Sequence, residues 1–339
     1  MTLHSRVDVV TNWRNELVRL LSDKDKVLEE VIYQQSRYDK WKLPEFSYTS
    51  LQAIPHILSD EFLEYCQELS TQKNFNRNNP QLVALFLNNE DLLVEIISLL
   101  LIFLAGHRSV VPKIFLRNPI VKFLVQNPDI PEMNFEDRII GIDDFRQCNC
   151  MVMSSKQRSF EYHNRYFSKR ATFEFPQRCS SALLTGKETD MELAALFDDV
   201  IRYFGKAAGA VTRLFVPHNY DFNPLIAVFN RQAGEIATHH LYLNHLDYQK
   251  TIHIINKISY VDAGVLMMIE DDALHTSRGI LHYQYYTSLE DFFVRISEVE
   301  NQSAWITSAQ IPIKNYRPGK SYMSLTDDFV DLFDFLIEQ

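Results

Sequence analysis

Apolar positions recur at helical spacing near the start of the chain and form short runs further along. Trp13, Leu17 and Leu20 lie three or four positions apart in a fairly polar segment, which predicts helix up to about residue 75. Beyond residue 80, short apolar runs typical of buried strands alternate with longer segments of helical spacing. The predicted strands cover 82–87, 110–116, 138–142, 150–153, 181–184 and 211–216.

The alternation of strands and helices predicts an α/β fold with a parallel sheet that is covered on both faces. We divide the chain into four segments. Residues 1–75 form a helical N-terminal region, 76–185 and 186–310 each alternate strands with helices, and 311–339 form a C-terminal segment.

Two helices in the second half carry clear signals. Thr189, followed three residues later by Glu192, forms a capping box and predicts a helix that ends in a turn after Phe204. The C-terminal segment has an apolar stripe that includes Phe329 and Phe333, opposite an acidic face, and so predicts an amphipathic helix with solvated carboxylates.

Composition narrows the class of protein. A hydrophobic fraction of 46% with 23 phenylalanines indicates a folded globular chain. The net charge of −10 argues against binding to nucleic acid, which needs basic surface for the phosphates. Nine glycines are few for a nucleotide-binding enzyme of 339 residues, because turns that cradle phosphates use glycine.

The longest apolar run, 96–105, has ten residues, whereas a membrane-spanning helix needs about 20, so we predict a buried helix and no membrane span. Residues 1–10 predict no secretory signal. The four cysteines are unevenly spaced, which favours reduced thiols and a cytoplasmic protein. Cys148 and Cys150 supply at most half of a metal site, so no metal is predicted.

Several stretches between about residues 80 and 290 together resemble the bacterial acyl-CoA reductase family, the fatty-acid reductase subunits of the aldehyde dehydrogenase superfamily. Their order and spacing carry the resemblance more than any single motif. The stretches are Leu-Leu-Thr-Gly-Lys-Glu-Thr at 183–189, Leu-Phe-Val-Pro at 214–217, Tyr-Asp-Phe at 220–222, Asp-Ala-Gly-Val-Leu at 262–266 and His-Tyr-Gln-Tyr-Tyr at 282–286.

The resemblance implies an aldehyde-dehydrogenase-like fold. A Rossmann-type parallel sheet domain at 76–185 would bind the cofactor, and a second α/β domain at 186–310 would bear the nucleophile. The family reaction is an NADPH-dependent reduction of an acyl thioester to a fatty aldehyde. A cysteine thiolate first takes the acyl group, because it is a strong nucleophile near neutral pH and a good leaving group afterwards.

The nucleophile position departs from the family pattern. The family reads approximately Phe-Gly-Leu-Gly-Cys-Arg, whereas this chain has Phe-Gly-Lys-Ala-Ala-Gly at 204–209, so Ala208 stands where the cysteine is expected. Cys179 is the one candidate for a substitute thiol, and the alternative is that it is simply a small buried residue. Glu174 is a candidate base, with a surface carboxylate as its alternative.

The expected cofactor turns depart as well. Asn88 and Asn89, followed by two carboxylates, replace a Gly-Asn-Ile-Pro turn, and acidic groups at a helix N-terminus repel an anion. Ser154 and Ser155 lie where the family has a Thr-Gly-Ser turn. Lys113 would contact a bound nucleotide; its alternative is a solvated lysine at a strand end.

Three hypotheses follow. The first is a catalytically degenerate protein that acts by binding an acyl-protein synthetase, an acyl carrier protein or a catalytic paralogue, with NADPH only if binding is retained. The second is an active reductase that uses Cys179 or a cysteine of its partner. In the third, the pocket binds acyl-CoA without turnover, as a sensor or carrier. We also predict a homodimer, because this fold usually associates through its sheet edges.

Overall fold

The computed structural model describes residues 1–73, 80–87, 91–126, 139–142, 145–154, 169–176, 179–296 and 302–339. The chain folds into two compact units, of which the first comprises 1–177 with 326–339 and the second comprises 178–325. The four segments deduced from the sequence divide the chain at other positions and remain predictions of functional domains.

The first unit begins with a helical region. The buried side chains of Trp13, Leu17 and Leu20 lie on one face of the first helix, as their spacing predicts. Side chains of Thr2 and Asp25 cap the first two helices by accepting backbone N–H groups. The helices are α1 (Leu3–Ser22), α2 (Lys26–Tyr38), α3 (Pro44–Ile57) and α4 (Asp60–Gln72).

The first unit also contains a five-stranded parallel sheet in the order β3-β2-β1-β4-β5. The strands are β1 (Leu82–Phe86), β2 (Arg108–Pro112), β3 (Ile139–Ile142), β4 (Cys150–Ser154) and β5 (Ala171–Phe175). The strand predicted over 110–116 was placed too late in the sequence, because β2 begins at Arg108 and ends at Pro112, which has no N–H to extend the ladder. The helix predicted over 157–168 lies outside the described residues.

Strand order places a topological switch in this sheet. The chain builds β2 and β3 on one side of β1 and then β4 and β5 on the other, so the carboxyl ends of β1 and β4 flank the point where the order reverses. Helix α5 (Leu92–Leu104) follows β1 and is buried along its whole length, and α6 (Pro119–Gln126) follows β2.

The last helix of the chain packs on this unit. It is the final α-helix in chain order and covers Thr326–Glu338. Phe329 contacts Phe175, with ring centroids 5.5 Å apart, and the predicted apolar stripe is buried. On the acidic face, Asp334 forms an ion pair with Lys73 at 2.6 Å.

The second unit contains a seven-stranded sheet in the order β12-β11-β6-β7-β10-β9-β8, in which only the β8–β9 pair is antiparallel. Its strands are β6 (Cys179–Leu183), β7 (Val211–Pro217), β8 (Val261–Asp262), β9 (Met267–Glu270), β10 (Ile280–Tyr286), β11 (Gln302–Ile306) and β12 (Asn315–Tyr316). Its helices are α7 (Asp190–Ile201), α8 (Asn223–Gln232), α9 (His240–Ile255) and α10 (Leu289–Ile296), so Thr326–Glu338 is α11.

Local signals in the second unit are confirmed. Thr189 and Glu192 form the capping box at the start of α7. Leu183, Phe215 and Phe292 form an aromatic-rich core between the sheet and α10. Among the described residues, no helix combines the length and the apolar character that a membrane crossing demands.

Candidate functional site

Cys179 and Ala208 lie at the same edge of the second sheet. Cys179 is the first residue of β6, and Ala208 comes three residues before β7. These strands are parallel neighbours, and the Ser180 N–H donates to the carbonyl of Ala210 at 2.9 Å. Ala208, at the position that the resemblance assigns to the nucleophile, and Cys179 therefore lie at the amino ends of two adjacent strands.

The turn that carries Ala208 has an unusual backbone. Tyr203, Phe204 and Gly205 have consecutive positive φ angles of 50°, 56° and 78°. A left-handed conformation costs roughly 1–3 kcal/mol for each non-glycine residue, so the surrounding contacts must hold it. The Phe204 ring stacks on Tyr242, with centroids 4.3 Å apart and planes at 24°.

Ala208 is half-buried in this turn, and its carbonyl accepts a hydrogen bond from Nη2 of Arg202 at 3.4 Å. The next residue, Gly209, has a φ of +70°, and a Cβ there would lie 2.8 Å from Oγ of Ser324. A longer side chain at 209, where the family has arginine, would therefore collide with 321–324. The alanine methyl group offers neither a nucleophile nor a leaving group.

The segment 271–279 returns the chain from the end of β9 to the start of β10, which runs parallel to it. Side chains of the Ala208 turn and of β7 hold this segment through its carbonyls. Nζ of Lys206 donates to Thr276, and Oγ1 of Thr212 donates to Leu274 at 2.6 Å. Lys206 is thereby engaged in holding the segment close to the turn.

The same segment places an imidazole beside Cys179. Nδ1 of His275 lies 3.4 Å from Sγ of Cys179, within hydrogen-bond distance for sulfur. Cys179 is 8% exposed, whereas His275 is exposed. A thiol in contact with an imidazole is the pair that general-base activation of a nucleophile requires.

Arg213 adds positive charge near the thiol. Its guanidinium is buried, donates from Nη1 to the carbonyl of Asp272 at 2.9 Å and lies within 3.3 Å of the Ser181 hydroxyl. Burial lowers the pKa of Arg213, and the charges of Asp272 and of the Cys179 thiolate oppose that shift. Cys179 and Arg213 therefore interact electrostatically in the sense that favours a thiolate.

Sequence reasoning missed His275 and Arg213. His275 is 96 residues from Cys179, and no spacing rule links them; the strand pairing and the path of 271–279 bring them together. Arg213 lies within the buried strand β7, and a single charged residue in such a strand does not by itself indicate a functional role. Glu174 lies exposed on β5 in the first unit.

The other thiols have a different environment. Burial raises the pKa of Cys66 to about 12 and, with a smaller effect of Cys148, that of Cys150 to about 12. Within the described ranges, no group of three or more His, Cys, Asp or Glu residues is arranged to hold a metal ion.

The predicted cofactor residues belong to the first sheet. Asn88, Asn89 and Ser155 lie outside the described residues. Ser154 is the half-buried last residue of β4, at the topological switch, and Lys113 is exposed just beyond β2.

Two acidic side chains occupy the N-terminus of α5, which follows the switch strand β1. Asp91 caps the helix by accepting the Leu93 N–H at 3.0 Å. Glu95 is 1% exposed, and burial raises its pKa to about 7, an effect that the nearby Lys42 ammonium opposes. An anion at this helix end would meet the side chain of Asp91, which already occupies the capping position, and the Glu95 carboxyl, which ionises near neutrality. The described residues therefore do not fit a dinucleotide pyrophosphate at this helix end.

No protein-family model and no curated protein sequence matches the chain. Solved structures do match. An oxidoreductase from Marinobacter aquaeolei has a TM-score of 0.58 at 10% identity, with 92% of this chain and 74% of that chain covered. A putative aldehyde dehydrogenase from Burkholderia cenocepacia has a TM-score of 0.58 at 8% identity, covering 92% and 76%.

A third similar structure is a cysteine-to-alanine variant of aldehyde dehydrogenase C from Pseudomonas syringae, in complex with NAD+ and octanal. Its TM-score is 0.58 at 12% identity, and the match covers 98% of this chain and 76% of that chain. These likenesses, together with the parallel sheets and the helical N-terminal region, confirm that the chain has an aldehyde-dehydrogenase-like fold.

Proposed function

We propose that this chain is an acyl-CoA-reductase-like protein that binds an acyl thioester or its carrier and does not reduce it at position 208. Ala208 carries the proposal. By the family resemblance it stands at the nucleophile position, in a turn whose left-handed backbone is accompanied by stacking of Phe204 on Tyr242. The backbone turn is formed, but the side chain at position 208 is a methyl group, which cannot act as a nucleophile.

The Pseudomonas syringae structure supports binding without turnover. That protein holds NAD+ and octanal as a cysteine-to-alanine variant, so in this fold such a replacement is compatible with binding of an aldehyde. We propose that this chain, with alanine at position 208, likewise binds an acyl group, which is delivered as a thioester. The partners we propose are an acyl-protein synthetase, an acyl carrier protein or a catalytic paralogue of this chain, and we propose a homodimer.

In the proposed mechanism, the chain binds the acyl thioester and does not reduce it. The carbonyl of Ala208 accepts a hydrogen bond from Arg202, and Lys206 donates to the carbonyl of Thr276, so side chains of the chain itself hold the turn before a ligand arrives. NADPH, when bound, supplies hydride in the family reaction. Asp91 and Glu95 do not fit its pyrophosphate at the α5 end, and no step here passes through it.

A second candidate function is active reduction through Cys179. The 3.4 Å contact between its sulfur and Nδ1 of His275 favours this alternative, because it supplies a nucleophile and a base at the same sheet edge as Ala208.

Titration of the purified full-length protein with octanoyl-CoA and NADPH tests the proposal. We expect octanoyl-CoA, and not octanoate, to raise the Tm, because a ligand at 100 times its Kd stabilises the folded state by about 2.7 kcal/mol. With both ligands present, absorbance at the nicotinamide band should stay constant. Sustained loss of that absorbance contradicts the proposal, and abolition of that loss in Cys179→Ala would establish the second candidate. The absence of any Tm shift with octanoyl-CoA would exclude thioester binding.

A further inference from the structure

The start of β6 combines three features at a buried cysteine: an imidazole contact, a buried guanidinium and partial exposure. The sulfur of Cys179 contacts an imidazole nitrogen at 3.4 Å, and the buried Arg213 guanidinium interacts with it electrostatically. A small fraction of Cys179 is exposed, beside the exposed His275. Reactive cysteines are found in such electropositive and partly accessible surroundings, whereas structural cysteines are not.

The contacts around His275 fix its position. Its neighbours Leu274 and Thr276 are held through their carbonyls by Thr212 and Lys206, and Asp272 is held in the same way by Arg213. The segment that presents the imidazole is therefore anchored on both sides of His275. This anchoring of the backbone places His275 beside Cys179, where its Nδ1 contacts the sulfur.

We propose that Cys179, His275 and Arg213 form a nucleophilic thiol site that accepts an acyl group from a thioester, with His275 as the acid–base group and Arg213 as a positioning residue. The proposal deepens the proposed function, because it rests on binding of an acyl thioester by this chain. Cys179 would be the covalent acceptor of the acyl group at the end of the sheet where Ala208 cannot accept one.

The acyl transfer needs neither an oxidant nor a reductant. The Cys179 thiol passes its proton to His275, and the sulfur attacks the thioester carbonyl carbon. A carbon–sulfur bond to Cys179 forms while the bond to the leaving thiol breaks. The leaving thiolate takes the proton back from His275, so one thioester replaces another and no atom is oxidised or reduced.

The decisive experiment incubates the full-length protein with octanoyl-CoA and locates the adduct by intact and peptide mass spectrometry. We expect one octanoyl group on Cys179 and none on the buried Cys66, Cys148 or Cys150, and no adduct in Cys179→Ala. His275→Gln should slow acylation by about 100- to 10,000-fold, the usual contribution of a positioned acid–base group. His240→Gln, which changes an exposed histidine on α9, is the matched control and should leave the rate unchanged.

A pH profile separates activation from a structural role of His275. With iodoacetamide, the labelling rate of Cys179 should level off well below the pKa of about 8.5 of a free thiol. In His275→Gln the profile should return to that of an ordinary thiol, while the Tm of the variant reports whether the fold is kept. A Cys179 profile that already follows an ordinary thiol in the wild type overturns the proposal.

The two ways of failing are distinguishable. If octanoyl-CoA raises the Tm and no adduct forms on Cys179, the thiol site is wrong and thioester binding stands. If octanoyl-CoA neither raises the Tm nor acylates the protein, the proposed function and this inference both fail. An adduct whose rate is equal in His275→Gln and His240→Gln removes His275 from the site and contradicts the proposal.

Discussion

The Ala208 turn in the second unit and the N-terminus of α5 in the first unit depart from the family pattern in opposite ways. In the turn, the left-handed backbone at Tyr203 and Phe204 is accompanied by stacking of Phe204 on Tyr242, and the position that the resemblance assigns to the nucleophile is alanine. At the end of α5, the helix is in place, but Asp91 and the buried Glu95 put acidic groups where an anion would bind.

The two departures from the family pattern therefore differ in their chemistry: one concerns an uncharged side chain, and the other concerns acidic groups. At position 208 the departure from the family pattern is a half-buried methyl group, which adds no charge. Acidic groups at a helix end make the electrostatic potential there more negative. A buried carboxyl group with a shifted pKa makes the free energy of unfolding depend on pH. Each region can therefore be probed by a measurement that does not depend on the other.

The largest expected effect on stability concerns Glu95. Its carboxylate oxygens have no hydrogen-bond partner among the described residues, and burial raises its pKa from 4.5 to about 7, although Lys42 opposes the rise and Asp91 and Asp39 add to it. Between these values the folded state holds a proton that the unfolded state has released, so the free energy of unfolding falls as the pH rises. Glu95→Gln should remove this fall and gain about 3 kcal/mol above pH 7, at roughly 1.36 kcal/mol per pKa unit.

Urea denaturation of wild type and Glu95→Gln between pH 4.5 and 8 measures this effect. The difference in the free energy of unfolding should be smallest at the acidic end and grow through the window. Glu61→Gln, which changes an exposed carboxylate in the first turn of α4, is the control, and its difference should change less with pH than that of Glu95→Gln, because an exposed group undergoes little desolvation on folding. A constant difference for Glu95→Gln would mean that Glu95 is ionised in the folded protein.

A smaller effect is expected in the turn itself. Gly209→Ala should destabilise the protein by more than Gly234→Ala, because both residues have positive φ but only Gly209 is crowded. The left-handed φ alone costs roughly 1–2 kcal/mol for alanine. At 209 the new Cβ would also displace Oγ of Ser324, which donates to the carbonyl of Ser321 at 2.6 Å. Thermal unfolding of the two variants side by side measures the difference, and an equal loss would contradict the tight packing of the turn.

Most of the fold could be predicted from the sequence because its signals are local. The apolar runs of β1 and β4, the capping box at Thr189 and the stripe of α11 each specify an element from a few neighbouring residues. The end of β2 was placed too late because the apolar run continues beyond Pro112, and a count of apolar residues does not register the missing N–H.

The candidate site was less predictable because it depends on contacts between distant positions. Ala208 was found by comparison with a family motif, and Cys179 because the resemblance implies that the strand before the nucleophile helix runs close to the active site. His275 has no local signal, since its role follows from parallel pairing of β9 and β10, which forces 271–279 to return to the amino edge. The backbone strain at Tyr203 and Phe204 was equally invisible, because both are ordinary apolar residues in a sequence pattern.

A thiol introduced at position 208 shows whether this turn is a nucleophile position. Ala208→Cys is prepared in the Cys179→Ala background and incubated with octanoyl-CoA, and the acyl adduct is sought by mass spectrometry. Because the turn keeps its shape, the account predicts an octanoyl group on the introduced thiol and none on the Cys179→Ala parent. If the introduced thiol reacts with iodoacetamide and takes no octanoyl group while octanoyl-CoA still raises the Tm, the turn is no longer a nucleophile position, and the account is contradicted.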